Sequence, residues 1–262
     1  MPLHVAAGSG YYSDNFEPID RTTLMPPFNT EYPSNGGTIG LLLTTSNSDL
    51  APPSAVFGVT AAHVVFPSLT EYFHRTVVEA RAIIDSFNES VPFAHFDLPP
   101  KNHTEADDSL DIAIVRLRDD RLNHISNIAY GDLVDIRDHR LRLYDCVDIV
   151  KVGKTTGATH GRLIHHHKKL GERIVVAVTA YPNGIFALPG DSGSALLWRD
   201  VKQRNALVPI AVLSMVQQGP NVAYGGCDLL RGLQKLSQKM LGRAEPPPLN
   251  DVKSWFKLWR CF

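Results

Sequence analysis

From Gly36 onward the chain is a succession of short apolar and β-branched runs, each broken after a few positions by Gly, Pro, Asn or Ser. Thr38–Thr44, Ala55–Thr60, Leu110–Leu117, Arg173–Ala180 and Leu207–Val216 are runs of this kind. Their length and punctuation predict the strands of an all-β sandwich or barrel. Residues 1–33 are rich in Gly, Ser, Pro and Asn without sustained periodicity and read as an irregular N-terminal arm. Segment 69–85 fits a helix or a strand pair equally well. Leu229, Leu233, Leu236 and Met240 recur at helical spacing and predict an amphipathic helix packed on the end of the domain, stopped by Pro246-Pro247-Pro248. The tail from Asp251 to Phe262 carries Trp255 and Trp259 with Lys253, Lys257 and Arg260. It reads either as a helix for a partner or membrane surface, or as a segment that folds back onto the core. There is no internal repeat.

Composition narrows the classes. The 262 residues are 44% hydrophobic and 20% charged, which is globular composition and excludes wholesale disorder. That length suits one large domain or two small ones. With 26 basic and 27 acidic side chains the net charge is −1, so no positive field exists to hold the phosphates of a nucleic acid. No apolar run approaches the ~20 residues needed to cross a bilayer. Cys146, Cys227 and Cys261 lie far apart, with no CxxC pair and no metal-ligand spacing. The first residues lack the basic start and apolar core of a signal peptide. Both features suit a cytoplasmic protein; the alternative is a cysteine-poor secreted one whose leader is removed. Two glycosylation-type triplets, at Asn88 and Asn102, do not decide between them.

Three segments carry chemistry. Gly190-Asp191-Ser192-Gly193-Ser194 has the residue types that present a serine hydroxyl on a tight turn, with backbone N–H groups aimed at a developing oxyanion. Gly190 permits a backbone conformation that a β-carbon would hinder, and Gly193 leaves room for an approaching carbonyl. Alone, the pentapeptide also suits a polar loop. Val59-Thr60-Ala61-Ala62-His63-Val64 places a histidine after small residues that allow close packing; alone, it suits a core histidine. Ser109-Leu110-Asp111-Ile112-Ala113-Ile114-Val115 carries an aspartate directly into an apolar strand. Burying that carboxylate is costly unless something donates to it, and a histidine Nδ1–H is one such donor. The alternative is an aspartate that caps the preceding loop.

The three occur in the order His, Asp, Ser, spaced by 48 and 81 residues. In this arrangement the chain resembles the chymotrypsin-fold (trypsin-like) serine proteases. The matching residues are Thr-Ala-Ala-His around His63, Asp-Ile-Ala-Ile from Asp111 and Gly-Asp-Ser-Gly-Ser around Ser192. The segment from Lys151 to Gly161 is similar to a Gly-x-Thr-Thr-Gly-x-Thr-x-Gly strand and turn of cysteine-poor bacterial and fungal members. The resemblance covers roughly residues 36–241.

It implies two six-stranded antiparallel β-barrels with a C-terminal helix. The protease domain would span 34–242, with its internal boundary near 125–145, followed by a Pro-rich linker and Trp/Lys-rich tail at 243–262. It implies a serine endopeptidase in which Ser192 attacks a carbonyl, His63 relays the proton and Asp111 orients the imidazole. Backbone N–H groups of Gly190 and Ser192 would form the oxyanion hole. Ser214, Met215 and Val216 would lie along the substrate, with Ser214 also supporting Asp111. No cofactor or metal is implied. His165-His166-His167 read as part of a solvated hairpin, because consecutive strand residues point to alternate faces.

The departures matter. Val64 and Leu188 stand where many relatives carry disulfide cysteines. No Ile-Val-Gly-Gly-type sequence marks an activation cleavage, so the partner of Asp191 is open. Phe186 lies six residues before the nucleophile, where cleavage after Lys or Arg calls for an aspartate. Leu213 replaces the histidine of the glutamate-specific subgroup. An apolar or small residue before the scissile bond is expected, in a protein or peptide substrate. The competing reading is an inactive or partner-activated trypsin-fold binding module, engaged through the arm or residues 251–262, within a larger effector or immune-type protein.

Overall fold

The computed structural model describes residues 20–25, 37–52, 55–65, 77–84, 89–97, 105–107, 109–117, 132–135, 147–153, 155–170, 173–180, 184–200, 206–217 and 223–258. The first half holds β1 (Asp20–Met25), β2 (Gly37–Thr38), β3 (Leu41–Thr45), β4 (Val56–Thr60), the one-turn α1 (Ala62–Val65), β5 (Val77–Ile84), β6 (Glu89–Asp97), β7 (Glu105–Asp107) and β8 (Ile112–Leu117). The second holds β9 (Val147–Gly153), β10 (Gly157–Leu170), β11 (Arg173–Ala180), β12 (Ala195–Asp200), β13 (Ala206–Gln217) and β14 (Ala223–Asp228). Then come α2 (Leu229–Met240), α3 (Leu249–Trp255) and β15 (Phe256–Leu258).

Among the described residues all strand pairs are antiparallel and fall into two sheets. The first has nine strands in the order β15-β3-β4-β8-β6-β5-β1-β2, with β7 on β8. The second runs β10-β11-β14-β13-β12-β9, and β9 pairs with β10 as well as β12. The chain is thus mostly β-sheet with a C-terminal helix, as its runs predict. The expected count of six strands per unit does not hold for the first sheet.

Two of its extra strands come from segments the apolar pattern passes over. Asp20–Met25, inside the expected irregular arm, pairs with all six residues of β5 from Glu79 to Ile84. Its sequence, Asp-Arg-Thr-Thr-Leu-Met, shows little apolar alternation, so only the backbone pairing reveals the strand. In the tail, Phe256, Lys257 and Leu258 pair with Thr45, Thr44 and Leu43. Val252 and Phe256 are buried in the same core as Leu41, Leu43 and Ile112. Residues 251–258 therefore fold back, and the helix stops at Trp255 rather than continuing as an amphipathic surface. Within 69–85, Val77–Ile84 is a strand. The expectations at 1–19, 69–76, 125–131 and 259–262, and both glycosylation-type asparagines, lie outside the described residues.

β12 shows why the core reads as unbroken apolar sequence. Ala195 and Leu197 join the core shared with the first sheet and the C-terminal helices, whereas Leu196 and Trp198 join the core of the second sheet. Successive side chains point to opposite faces, so the stretch Ala195–Trp198, buried on both, has no polar positions. Helix α2 seats Leu229, Leu230, Leu233 and Leu236 on the shared core. Asp228 caps its start by accepting the Arg231 N–H at 3.1 Å. Gly242, with φ +59°, ends it. Among the described residues no helix is long and apolar enough to cross a membrane.

Candidate active site

His63 stands in α1, immediately after β4 delivers the buried Thr60, Ala61 and Ala62. The small residues let the chain turn tightly against its neighbours, and the imidazole emerges 47% exposed. Asp111 occupies the turn leading into β8 and has φ +55°, a left-handed conformation that aspartate tolerates better than most residues. Its carboxylate is 7% exposed. His63 Nδ1 lies 2.9 Å from both carboxylate oxygens, and the His63 main-chain N–H donates to Oδ1 at 3.1 Å. The structure thus joins two of the three sequence-predicted residues. The histidine supplies the donors that make a buried carboxylate tolerable.

Ser214 stands outside the His63–Asp111 contact. It is buried, but among the described residues it makes no hydrogen bond to Asp111, contrary to expectation. The pairing of β13 with β14 shifts register between Leu213 and Met215, so Ser214 sits in an irregularity that re-aims the strand. Of Met215 and Val216, the other expected substrate contacts, only the backbone is described.

The turn around Ser192 is tightly specified. Asp191 N–H donates to Leu188 O at 3.0 Å, Gly193 N–H to Leu213 O at 2.7 Å and Ser194 N–H to Asp191 O at 3.0 Å. The N–H groups of Gly190 and Ser192 make no such bond among the described residues, leaving those two donors available. Gly190 and Gly193 have φ of +100° and +92°.

Beneath this turn lies a charge pair that the sequence reading missed. The Asp191 carboxylate and the Lys151 ammonium are 3.0 Å apart, and both side chains are 0% exposed. Asp191 Oδ1 accepts from the Thr155 and Thr156 N–H groups at 2.7 and 3.2 Å. Its Oδ2 accepts from Leu188 N–H at 3.0 Å and Thr156 Oγ1 at 2.7 Å. Lys151 also donates to Thr156 Oγ1 and lies 5.8 Å from the centroid of the Phe186 ring. Burial alone would raise the Asp191 pKa. The Lys151 charge and the donors from Leu188, Thr156 and Thr155 outweigh it and hold the carboxyl below its usual range. The signal was available: a lysine inside the apolar run Ile149-Val150-Lys151-Val152 requires a buried counter-charge.

Phe186 is fully buried in the core of the second sheet, and its carbonyl accepts from Thr159 Oγ1 at 2.6 Å. Its side chain has no accessible face for a substrate. The exposed apolar side chains beside the turn are Ile185 and Leu188, at 58% and 40%.

The histidine and serine turns meet where the two sheets touch. Thr38 N–H donates to Ser192 O at 2.8 Å, and Thr38 Oγ1 to Gly190 O at 3.0 Å. Gly193 is packed so closely that a β-carbon there would overlap Thr38 O and Thr60 Oγ1. The residue after Ser192 therefore lies against the strand end that leads into His63. Among the described residues no hydrogen bond joins the His63 and Ser192 side chains. No group of three or more His, Cys, Asp or Glu side chains capable of holding a metal occurs among them either. The side chains of His165, His166 and His167 are outside that set.

No family model matches the chain, and no curated protein matches it. Among solved structures it is similar to the passenger domain of plasmid encoded toxin, an autotransporter enterotoxin from enteroaggregative Escherichia coli. The identity is 13% and the TM-score 0.43, over 66% of this chain and 19% of that one. It is also similar to an inactive mutant form of Rv3671c from M. tuberculosis H37Rv. There the identity is 14% and the TM-score 0.43, over 88% of this chain and 89% of that one. The functional reading rests on the geometry of the site itself.

Proposed function

We propose that the chain is a serine endopeptidase of the two-barrel, trypsin-like type. The observation that carries this is the contact of His63 Nδ1 with both oxygens of Asp111 at 2.9 Å. It fixes the imidazole with Nε2 free to act as a base. Ser192 Oγ attacks the scissile carbonyl and passes its proton to His63 Nε2, while Asp111 stabilises the resulting imidazolium. The Gly190 and Ser192 N–H groups stabilise the oxyanion, an interaction worth about 3–4 kcal/mol of barrier per donor in serine proteases. The C–N bond breaks as His63 returns the proton to the leaving amine. Water then hydrolyses the acyl-enzyme by the same relay. Catalytic hydrogen bonds between base and nucleophile often tighten only in the substrate complex, so this role does not require a His63–Ser192 bond in the free chain.

The peptidase unit includes β1 from Asp20, which pairs with β5 and β2 of its first sheet, and extends past 242 to 258, because Val252 and Phe256 are part of its core. Its substrate is a protein or peptide with an apolar or small residue before the scissile bond.

A fluorophosphonate probe tests the reading. The native chain is expected to become labelled, and Ser192→Ala and His63→Ala are each expected to abolish labelling. Folded, monodisperse native protein that takes up no probe overturns it. That outcome favours a second reading, to which the missing His63–Ser192 bond already points: a module of this fold that acquires activity only with a partner.

A further inference from the structure

We propose that Asp107 and Lys239 are positioning residues for Asp111. Through this pair the C-terminal helix fixes the turn from which the carboxylate reaches His63. The inference rests on the peptidase reading and assigns that same site a further pair of residues.

Asp107 closes β7 and is 3% exposed. Its Oδ1 accepts from Ser109 Oγ and from Leu110 N–H at 3.0 Å. An aspartate that binds the backbone three residues ahead folds a turn on its own side chain. Asp111 follows at once, in the left-handed conformation that the turn must hold. The second oxygen, Oδ2, lies 3.0 Å from Lys239 Nζ, which comes from the last turn of α2. The two ends of the turn are also paired, Asp107 with Ile112 across β7 and β8.

Helix α2 grips this hairpin at a second point. A β-carbon on Gly232 would come within 2.5 Å of Ile112 Cδ1, so the helix backbone lies directly on the residue after Asp111. The helix is already capped by Asp228 and seated by its leucines. The Lys239 side chain is 37% exposed, and its ammonium pairs with the carboxylate that organises the Asp111 turn. A small displacement of a catalytic group is costly to rate because the reacting geometry is narrow.

The test compares full-length native protein with Lys239→Met, Lys239→Arg and Lys235→Met, the last removing a charge from the same helix that forms no ion pair with Asp107 among the described residues. The readouts are the rate of fluorophosphonate labelling, the thermal midpoint, and the downfield NMR resonance of the proton between His63 Nδ1 and Asp111. Lys239→Met is expected to slow labelling about tenfold or more and to shift or broaden that resonance. Its midpoint should fall modestly below that of Lys235→Met, because Asp107 loses a partner that favours its ionised form, while the chain stays folded at the labelling temperature. Lys239→Arg should restore both signals, and Lys235→Met should match the native protein. If Lys239→Met labels at the native rate with an unchanged resonance, or if Lys235→Met slows labelling equally, the inference is overturned. A native chain that does not label at all overturns the peptidase reading instead. The NMR resonance alone then decides whether Lys239 positions Asp111.

Discussion

Lys151 and Asp191 form an ion pair 3.0 Å long in which neither side chain has any exposed surface, one residue before Ser192 in sequence. The same carboxylate gathers N–H groups from Leu188, Thr155 and Thr156, so it ties the turn around Ser192 to the turn between β9 and β10. The partner of Asp191 is an internal lysine. The charge that locks the turn is therefore present as soon as the chain folds, and no newly exposed amino group is required to supply it.

Removing one member of a buried pair leaves the other as an uncompensated charge, which costs about 3–5 kcal/mol. Lys151→Met is thus expected to lower the stability measured by urea unfolding by that order and to abolish probe labelling. Pairing it with Asp191→Asn should recover part of the stability, because the orphaned charge is gone. The double variant should remain unlabelled, because the turn has lost its anchor. Additive losses in the double variant would show that the two side chains are not coupled.

Asp191 and Asp107 share a pH dependence. At Asp107 burial again works against ionisation, and the bonds from Ser109, Lys239 and Leu110 together with the Lys239 charge outweigh it. Both folded-state pKa values lie below the ordinary 3.8. Folding therefore favours the ionised forms. The stability they contribute is complete above the unfolded value and drains away as pH falls through the lower folded values. In unfolding titrations the gap between native protein and Asp107→Asn should be constant from about pH 7 to 5 and shrink below about pH 4. A gap that holds unchanged to pH 2.5 would count against a depressed pKa at Asp107.

The pairing of His63 with Asp111 was legible because each sits in a segment whose small or apolar neighbours make the polar residue anomalous. Lys151 was equally anomalous in its strand, yet its partner lies 40 residues away and only the packed sheets bring the two together. Strands β1 and β15 escaped for a different reason. They are held by backbone pairing to β5 and β3, which leaves little trace in side-chain polarity. The supporting role given to Ser214 failed at a shift in strand register, a feature that residue types alone do not announce.

Two glycines with positive φ separate backbone strain from crowding. Gly193 has φ +92° and no room for a β-carbon beside Thr38 O and Thr60 Oγ1. Gly242 has φ +59° and nothing within 4 Å. Gly242→Ala should cost only the conformational penalty, about 1–2 kcal/mol, and leave labelling intact. Gly193→Ala adds overpacking of about 1–3 kcal/mol and moves the turn that holds Ser192, so labelling should be lost. Equal costs at the two sites in urea unfolding would refute the packing argument.

Specificity follows from what is absent near the turn. Phe186 cannot neutralise a basic side chain, and Lys151, already bound to Asp191, is not available to neutralise an acidic one. Ile185 and Leu188 offer apolar surface instead. Profiling kcat/KM on a peptide library should rank apolar or small residues first at the position before the cleaved bond. A preference for Lys, Arg or Glu there would rule this out.

Asp111→Asn isolates the chemistry from the fold. Asparagine tolerates the left-handed backbone at φ +55° as well as aspartate does, whereas alanine would add strain. The amide nearly matches the carboxylate in shape and retains one acceptor oxygen for the His63 N–H groups. It also presents an NH2 group to the ring, which favours the tautomer with its proton on Nε2, the wrong nitrogen for accepting the serine proton. The variant should therefore unfold close to the native midpoint while kcat falls by about 10⁴-fold, the loss seen when a triad acid is neutralised in serine proteases. Asp111→Ala should lose comparable activity and be measurably less stable than Asp111→Asn. Activity within tenfold of native in Asp111→Asn would mean that the His63–Asp111 contact, however well formed, does not orient the base.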